Sequence, residues 1–501
     1  MRTHRRSKLL RIGALGAALV VTVGLSGTAL AHHDEPPALL KEMQGDALGS
    51  LPVVEGPFPD TENMRFLGQI DPDAMGALPI PGVFDKGMLN DIWGWTSPAG
   101  QEYALVGTTA GLAVVRVTDP ENPEFLGSLE SQAPGNIGNL WGDPGLFGNF
   151  AYFTSEIVGS EIDVVDLSVL DALGPAPSPD TVLPAPSFKF SGGGYRSAHN
   201  IQVNEETGFA YVAGVRLAAG AANNACGLET PPRFNTLIYD LNTDPTNPDV
   251  AACLPNVGEH DFYSIVYTGP DERFQGHEIV FVFDGRDRVG QAAGNPIGGF
   301  TEIWDATDKN NIEVLASFRI PELVFSHNGW TTEEQDFLFI GDEIDEIVAA
   351  GWLPGVFAQP VDDPTKTPAT GTYIVDVREL DDPVVVERFE HDTVSVDHNM
   401  IVKGDKIYQA NYTSGTRVLQ IERDAAGMVS LRPIAHMDTE PRLPSKILNL
   451  SQELRFGTAF LGQWGIFPLF DSGTIIASDR NNGLIVMRLS DEPCKGIKCS
   501  L

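Results

Sequence analysis

The sequence predicts an all-β protein: a seven-bladed β-propeller closed by an N-terminal strand in its last blade. Three observations carry that prediction. Among 501 residues, 52 are Gly and 36 are Pro, which favours short elements joined by turns over long helices. A short β-rich run with alternating apolar residues, followed in several copies by an Asp-Pro or Asn-Pro turn, returns seven times. The strand that ends most units is missing from the last one, and its match lies near the N-terminus.

The first 31 residues read as a signal peptide. Arg2, Arg5, Arg6, Lys8 and Arg11 precede an apolar stretch over 12–25, and Ala29-Leu30-Ala31 is a small-x-small cleavage site. The mature chain then starts at His32. Arg5-Arg6 fits a twin-arginine signal in part, which leaves the export route open. Loss of five basic residues takes the net charge from −35 to −40. No second long apolar segment follows, so the mature chain is expected outside the cytoplasmic membrane, secreted or in the cell envelope, without membrane insertion. The segment 32–60 is Pro-rich, polar and expected to be mobile.

The propeller is expected over 61–490. Its β-rich runs begin at Gly111, Glu161, Asn235, Phe300, Gly371, Gly415 and Gly483. β-branched content and period-2 alternation make them strands. A strand–turn–strand piece precedes each run. These pieces start at Asn90-Asp91, Trp141-Gly142, His199-Asn200, His260-Asp261, His327-Asn328, His398-Asn399 and Trp464-Gly465, about 50–70 residues apart. Most units end on a strand like Pro123-Glu124-Phe125-Leu126-Gly127-Ser128-Leu129. Met64-Arg65-Phe66-Leu67-Gly68-Gln69-Ile70 matches it and is expected to complete the seventh blade.

Four cysteines in an exported chain favour disulfides. Cys226 and Cys253 flank one strand-like segment, and Cys494 and Cys499 lie in the tail 491–501. Three pairings are open, the local one being the simplest.

Taken together, NDIWGW at 90–95, GLAVVRVTDPENPEFLG at 111–127, SHNGWTTEEQDFLFIGDEIDE at 326–346, DHNMIVKGDKIYQANYTSGTRVL at 397–419 and WGIFPLFDSGTIIASDRNNGLIVMR at 464–488 resemble the LVIVD-repeat β-propellers. The whole chain resembles the bacterial choice-of-anchor B family over about 61–490. The resemblance implies export and a propeller, includes the Cys226/Cys253 pair, and implies no reaction. The chain departs from the family's name, since its C-terminus carries no sorting motif or anchor helix.

In a propeller blade the inner strand starts where the second strand ends, on one mouth of the channel. Starts of inner strands supply Asp91 and His199, His260, His327 and His398, the histidines one in each of four successive blades. Ends of second strands supply Glu156, Asp284, Glu343 and Asp479. The functional reading is a transition metal (iron, copper, zinc or manganese) on the four imidazoles, with the carboxylates orienting them. The structural reading is a lock, in which each His bonds the neighbouring blade. Trp93, Trp141, Trp330 and Trp464 lie near the same starts, as ligand-stacking candidates or as wedges between blades. The acidic runs at 333–334, 342–346 and 362–363 read as solvated faces ahead of Ca²⁺ sites.

An acidic chain without basic blocks excludes a nucleic-acid role. No P-loop, H-E-x-x-H or G-x-S-x-G occurs. Two functions follow: an exported module binding a small ligand or an extracellular protein, and a metal-dependent enzyme of the oxidoreductase kind.

Overall fold

The computed structural model describes residues 52–79, 86–129, 139, 141–232, 234–255, 259–284, 299–320, 323–346, 369–442 and 459–490. The predicted signal peptide and the Cys494/Cys499 pair lie outside the described residues.

Seven small antiparallel sheets form a seven-bladed β-propeller. The inner strands are Leu89–Thr96, Pro144–Phe147, Asn200–Asn204, Asp261–Val266, Ser326–Thr331, Met400–Lys403 and Gln463–Phe467. The β-rich runs recognised in the sequence are the third strands, from Gly111–Arg116 in blade 1 to Gly483–Leu489 in blade 7. No helix among the described residues is long and apolar enough to cross a membrane.

Period-2 alternation builds the ring. Tyr103 and Leu105 of blade 1 pack on Leu146, Ala151 and Phe153 of blade 2. Ala104 and Val106 of the same strand face Ile476, Leu484 and Val486 of blade 7. Each sheet is therefore apolar on both faces, and a cluster of buried side chains fills each of the seven interfaces. Burying one such side chain contributes about 1.5–3 kcal/mol, so the interfaces between blades hold most of the core energy.

The predicted turns recur in geometry as well. The Asn122 N–H donates to the Asp119 carbonyl at 3.0 Å, and Asn247 and Asn311 repeat the bond to Asp244 and Asp308. Each is a tight turn entering an outer strand.

Closure follows the prediction. Met64–Ile70 pairs antiparallel with the third strand of blade 7, Met64 opposite Leu489 and Ile70 opposite Leu484. Gly483 sits at φ +98°, and a Cβ there would lie 2.0 Å from the Ile70 carbonyl oxygen, so the closing strand requires glycine at this turn. Thr61–Glu62 adds a fifth strand to blade 6. The segment expected to be mobile is docked over its described part. The Val54 N–H donates to Asn482 Oδ1 at 2.8 Å, and Phe58 is buried edge-on to Phe66.

Cys226 and Cys253 form a disulfide, the local pairing. It ties the loop between the second and third strands of blade 3 to its outer strand.

One buried histidine makes folding pH-dependent. His391 Nε2 bonds Gln409 Oε1 at 2.8 Å. Burial, with Arg417 nearby, pushes its pKa down to about 4, against the weaker opposing effects of the Gln409 bond and Asp392. The unfolded chain therefore binds this proton first. The contribution is complete above about pH 6.5 and is lost as pH falls toward 4, by about 3 kcal/mol at most. Urea midpoints measured from pH 7 to pH 4 should fall, and His391→Gln should flatten that part of the profile.

Candidate metal centre

The four histidines open successive inner strands, so adjacent blades carry them side by side. Their ring centroids are 4.3 Å apart from His199 to His260, 4.3 Å from His260 to His327, and 4.2 Å from His327 to His398. All four are buried.

Three of the four rings are oriented by a defined neighbour. His199 Nδ1 lies 2.6 Å from Glu156 Oε1, and His260 Nδ1 lies 3.0 Å from Asp261 Oδ1. His398 Nδ1 lies 2.6 Å from the Trp464 carbonyl oxygen. A carbonyl only accepts, so in neutral His398 the hydrogen is on Nδ1 and Nε2 presents its lone pair. That lone pair faces Glu343, whose Oε1 is 3.6 Å away. Glu343 Oε2 is 3.5 Å from His327 Nε2. Both separations are too long for hydrogen bonds. They approach the roughly 3.0–3.4 Å between two ligands that share one ion at about 2.1 Å. Two sets of ligand atoms each crowd within 4.8 Å: His199, His260 and Asp261, and His260, His327 and Glu343. His260 belongs to both.

Glu343 is fully buried, and the Tyr412 hydroxyl donates to its Oε1 at 2.9 Å. Tyr412 adopts φ +35°, rare for a non-glycine residue and costly unless the surroundings impose it. Its ring packs on His398 at 4.7 Å and on Phe460 at 5.2 Å. Burial raises the phenol well above its ordinary pKa, and the Glu343 charge adds to this.

The residue after each histidine forms a second layer. Asp91, Asp143, Asn200, Asp261, Asn328 and Asn399 line an open cavity in the channel. Asn328 Nδ2 donates to Asp261 Oδ2 at 3.1 Å. Asn399 bonds Asp91, and Asn200 bonds Asp143. Burial pushes Asp91 up to about 7 and Asp261 up to about 6. Burial and the neighbouring carboxylates push Asp143 well above the ordinary range. Gly465 completes this layer in blade 7, where a Cβ would lie 1.9 Å from Asp91 Oδ1.

The remaining predicted residues fall in several places. Glu156 stands beside His199 as an orienting carboxylate. Glu343 sits between two imidazoles rather than behind one. Asp479 accepts from Thr439 Oγ1 at 2.6 Å and from the N–H groups of Asn481 and Asn482, and burial raises it to about 7. Asp284 acts on Glu259 as a neighbouring negative charge. Asp261 is the carboxylate bonded to His260 Nδ1. Trp93 and Trp330 line the cavity. Trp141 and Trp464 are buried, Trp464 between His398 and the Arg480 guanidinium.

The lock reading also has a physical basis. His398 ties blade 6 to blade 7 through Trp464, and Asn328 Oδ1 accepts from the Met400 N–H between blades 5 and 6. Sequence reasoning placed Asp91 at the channel mouth but missed Tyr412 and the rest of the cavity layer. The layer had a signal in the repeated His-Asn and His-Asp pairs, whereas Tyr412 had none.

No protein-family model matches the chain, and no curated protein matches it. Among solved structures, it is similar to a hypothetical selenium-binding protein from Sulfolobus tokodaii at 9% identity, covering 68% of this chain and 78% of that one, with a TM-score of 0.40. A protein from Lactobacillus plantarum is 9% identical, over 78% of this chain and 91% of that one, with a TM-score of 0.43. A functionally unknown protein from Desulfotomaculum acetoxidans is 10% identical, over 81% and 99%, with a TM-score of 0.38. Likenesses at this level carry no argument about function, and the propeller rests on the seven sheets themselves.

Proposed function

We propose that this chain is an exported, metal-holding β-propeller of the LVIVD-repeat, choice-of-anchor B kind, acting as a ligand-binding module. His199, His260, His327 and His398 hold one transition-metal ion, with Glu343 as an additional oxygen ligand. The observation that carries the reading is Glu343, a fully buried carboxylate 3.5 and 3.6 Å from two imidazole nitrogens. A carboxylate facing the His398 lone pair is unfavourable unless a proton or a metal cation lies between them, and several imidazoles converging on the same carboxylate favour the metal. Neutral imidazoles with one carboxylate suit iron, copper, zinc or manganese, and Glu156 and Asp261 orient two of the rings. Export rests on the basic and apolar N-terminal segment together with the Cys226–Cys253 disulfide.

Metal analysis of the full chain, purified without a histidine tag, tests this. Close to one equivalent of a single transition metal is expected. Less than about a tenth of an equivalent, after reloading with Fe²⁺, Cu²⁺, Zn²⁺ and Mn²⁺ in turn, would leave the lock as the role of the histidines.

Tyr412→Phe removes the donor to Glu343. A chelator competition should show metal held about 10–100-fold more weakly, as for other groups that orient a ligand. Unchanged affinity would remove Glu343 from the ligand set.

The cavity favours a second reading, a metal-dependent oxidoreductase. Its lining includes Asp261, which bonds His260, so a small molecule in the channel lies beside the centre. A redox-active metal that cycles with ascorbate and consumes dioxygen would support an enzyme. Protein isolated with zinc alone would count against one.

A further inference from the structure

The cavity in the channel has a chemistry of its own. Its lining comes from inner strands all around the ring, and none of the lining residues is Lys or Arg. One end is polar, with Asp91, Asp143 and Asp261. Each of these carboxylates is bonded by an uncharged amide: Asn399, Asn200 and Asn328 respectively. An amide satisfies one oxygen and brings no positive charge, so this end takes its counter-charge from a bound cation or from protons. The walls are apolar and aromatic, with Trp93, Trp330, Phe262 and Met400. The Trp330 ring is held against Tyr263 at a centroid distance of 4.1 Å.

The cavity also reaches Glu205. This residue lies in the turn after the inner strand Asn200–Asn204, whereas His199 lies just before that strand. The cavity therefore runs the length of the inner strand, away from the imidazoles. A chain of net charge −35 draws cations toward such an opening.

We propose that the channel binds a small organic cation, a primary ammonium on a short apolar stem. The ammonium head lies among Asp91, Asp143 and Asp261, and the stem lies against Trp93, Trp330 and Met400. Three N–H donors on the head match three carboxylates spread around an axis. A bare metal ion fits less well. Among the described residues, these three carboxylates do not form one of the sets whose ligand atoms crowd within 4.8 Å. The proposal does not rest on the metal reading.

The test titrates full-length protein, as purified and after chelator treatment, with n-butylammonium by calorimetry. n-Butanol and n-butyrate serve as neutral and anionic counterparts. Saturable one-to-one binding of n-butylammonium is expected in both preparations, with neither counterpart binding at 50-fold higher concentration (roughly 2.3 kcal/mol of discrimination). Asp143→Asn keeps the shape and removes one carboxyl group that can ionise against the ammonium, and should weaken binding about tenfold. Butanol binding as tightly as the amine would overturn the proposal, and so would equal affinity in Asp143→Asn. Loss of amine binding on chelation would place the ligand on the metal and also overturn it. Displacement of the amine by Ca²⁺ at a lower concentration than the amine itself would assign the cavity to an inorganic ion instead. If Asp143→Asn does not fold, the wild-type comparison of amine with alcohol decides alone.

Discussion

His260→Ala is expected to weaken metal retention by about 100-fold or more, ~2.7 kcal/mol, the largest loss among the four histidines. His260 is the one imidazole shared by both sets of ligand atoms, and it has a histidine 4.3 Å away on either side. Its Nδ1 is engaged by Asp261, which orients the ring. His199→Ala removes a ligand from one set only and should cost less. The measurement is chelator competition on tag-free protein, with circular dichroism to confirm the fold. A second variant, His260→Gln, preserves more of the buried volume. Metal held by both variants as in the wild type would sink the four-histidine centre. Equal losses in His199→Ala and His260→Ala would deny His260 its shared position.

Glu278→Ala is expected to cost about 3–5 kcal/mol of stability, the largest single effect predicted outside the centre. Glu278 lies at the interface of blades 3 and 4, where Lys309 Nζ reaches its Oε2 at 2.7 Å and both side chains are buried. Its Oε1 accepts from the Tyr211 hydroxyl at 2.9 Å and from Ser264 at 3.1 Å. Lys309 also lies 3.9 Å from the Phe209 ring centroid and donates to the Ala306 carbonyl. Removing Glu278 strands a buried ammonium, and removing Lys309 strands a buried carboxylate, so the two single variants should cost similar amounts. The double variant Glu278→Leu, Lys309→Met leaves no buried charge and should recover part of the loss. Urea denaturation followed by fluorescence reads all three. A double variant that loses the sum of the singles would show that the pair is not coupled.

The ring was legible because its causes are local and repeated. Alternation in a run such as Leu112-Ala113-Val114-Val115 specifies a strand buried on both faces, and seven copies leave little choice of architecture. The closing strand was legible because Met64–Ile70 carries the pattern of the strand that blade 7 lacks. Its fit depends on Gly483, which only a three-dimensional contact explains. Docking of 52–60 depends on single bonds, such as Val54 to Asn482, that leave no periodicity, so the Pro-rich, polar composition alone reads as mobile there.

The candidate site divides the same way. The sequence by itself determined that four histidines stand at equivalent positions of successive blades, because strand period and blade repeat are properties of the chain. Only the tertiary structure decided which carboxylate meets which imidazole. Asp261 serves His260, and Glu343 lies between His327 and His398. Tyr412 supports Glu343 from 69 residues away in the chain. These pairings are set by the rotation of one blade against the next and by side-chain rotamers in a closed channel. Neither quantity has a period in the sequence, so both appear only once the ring is closed.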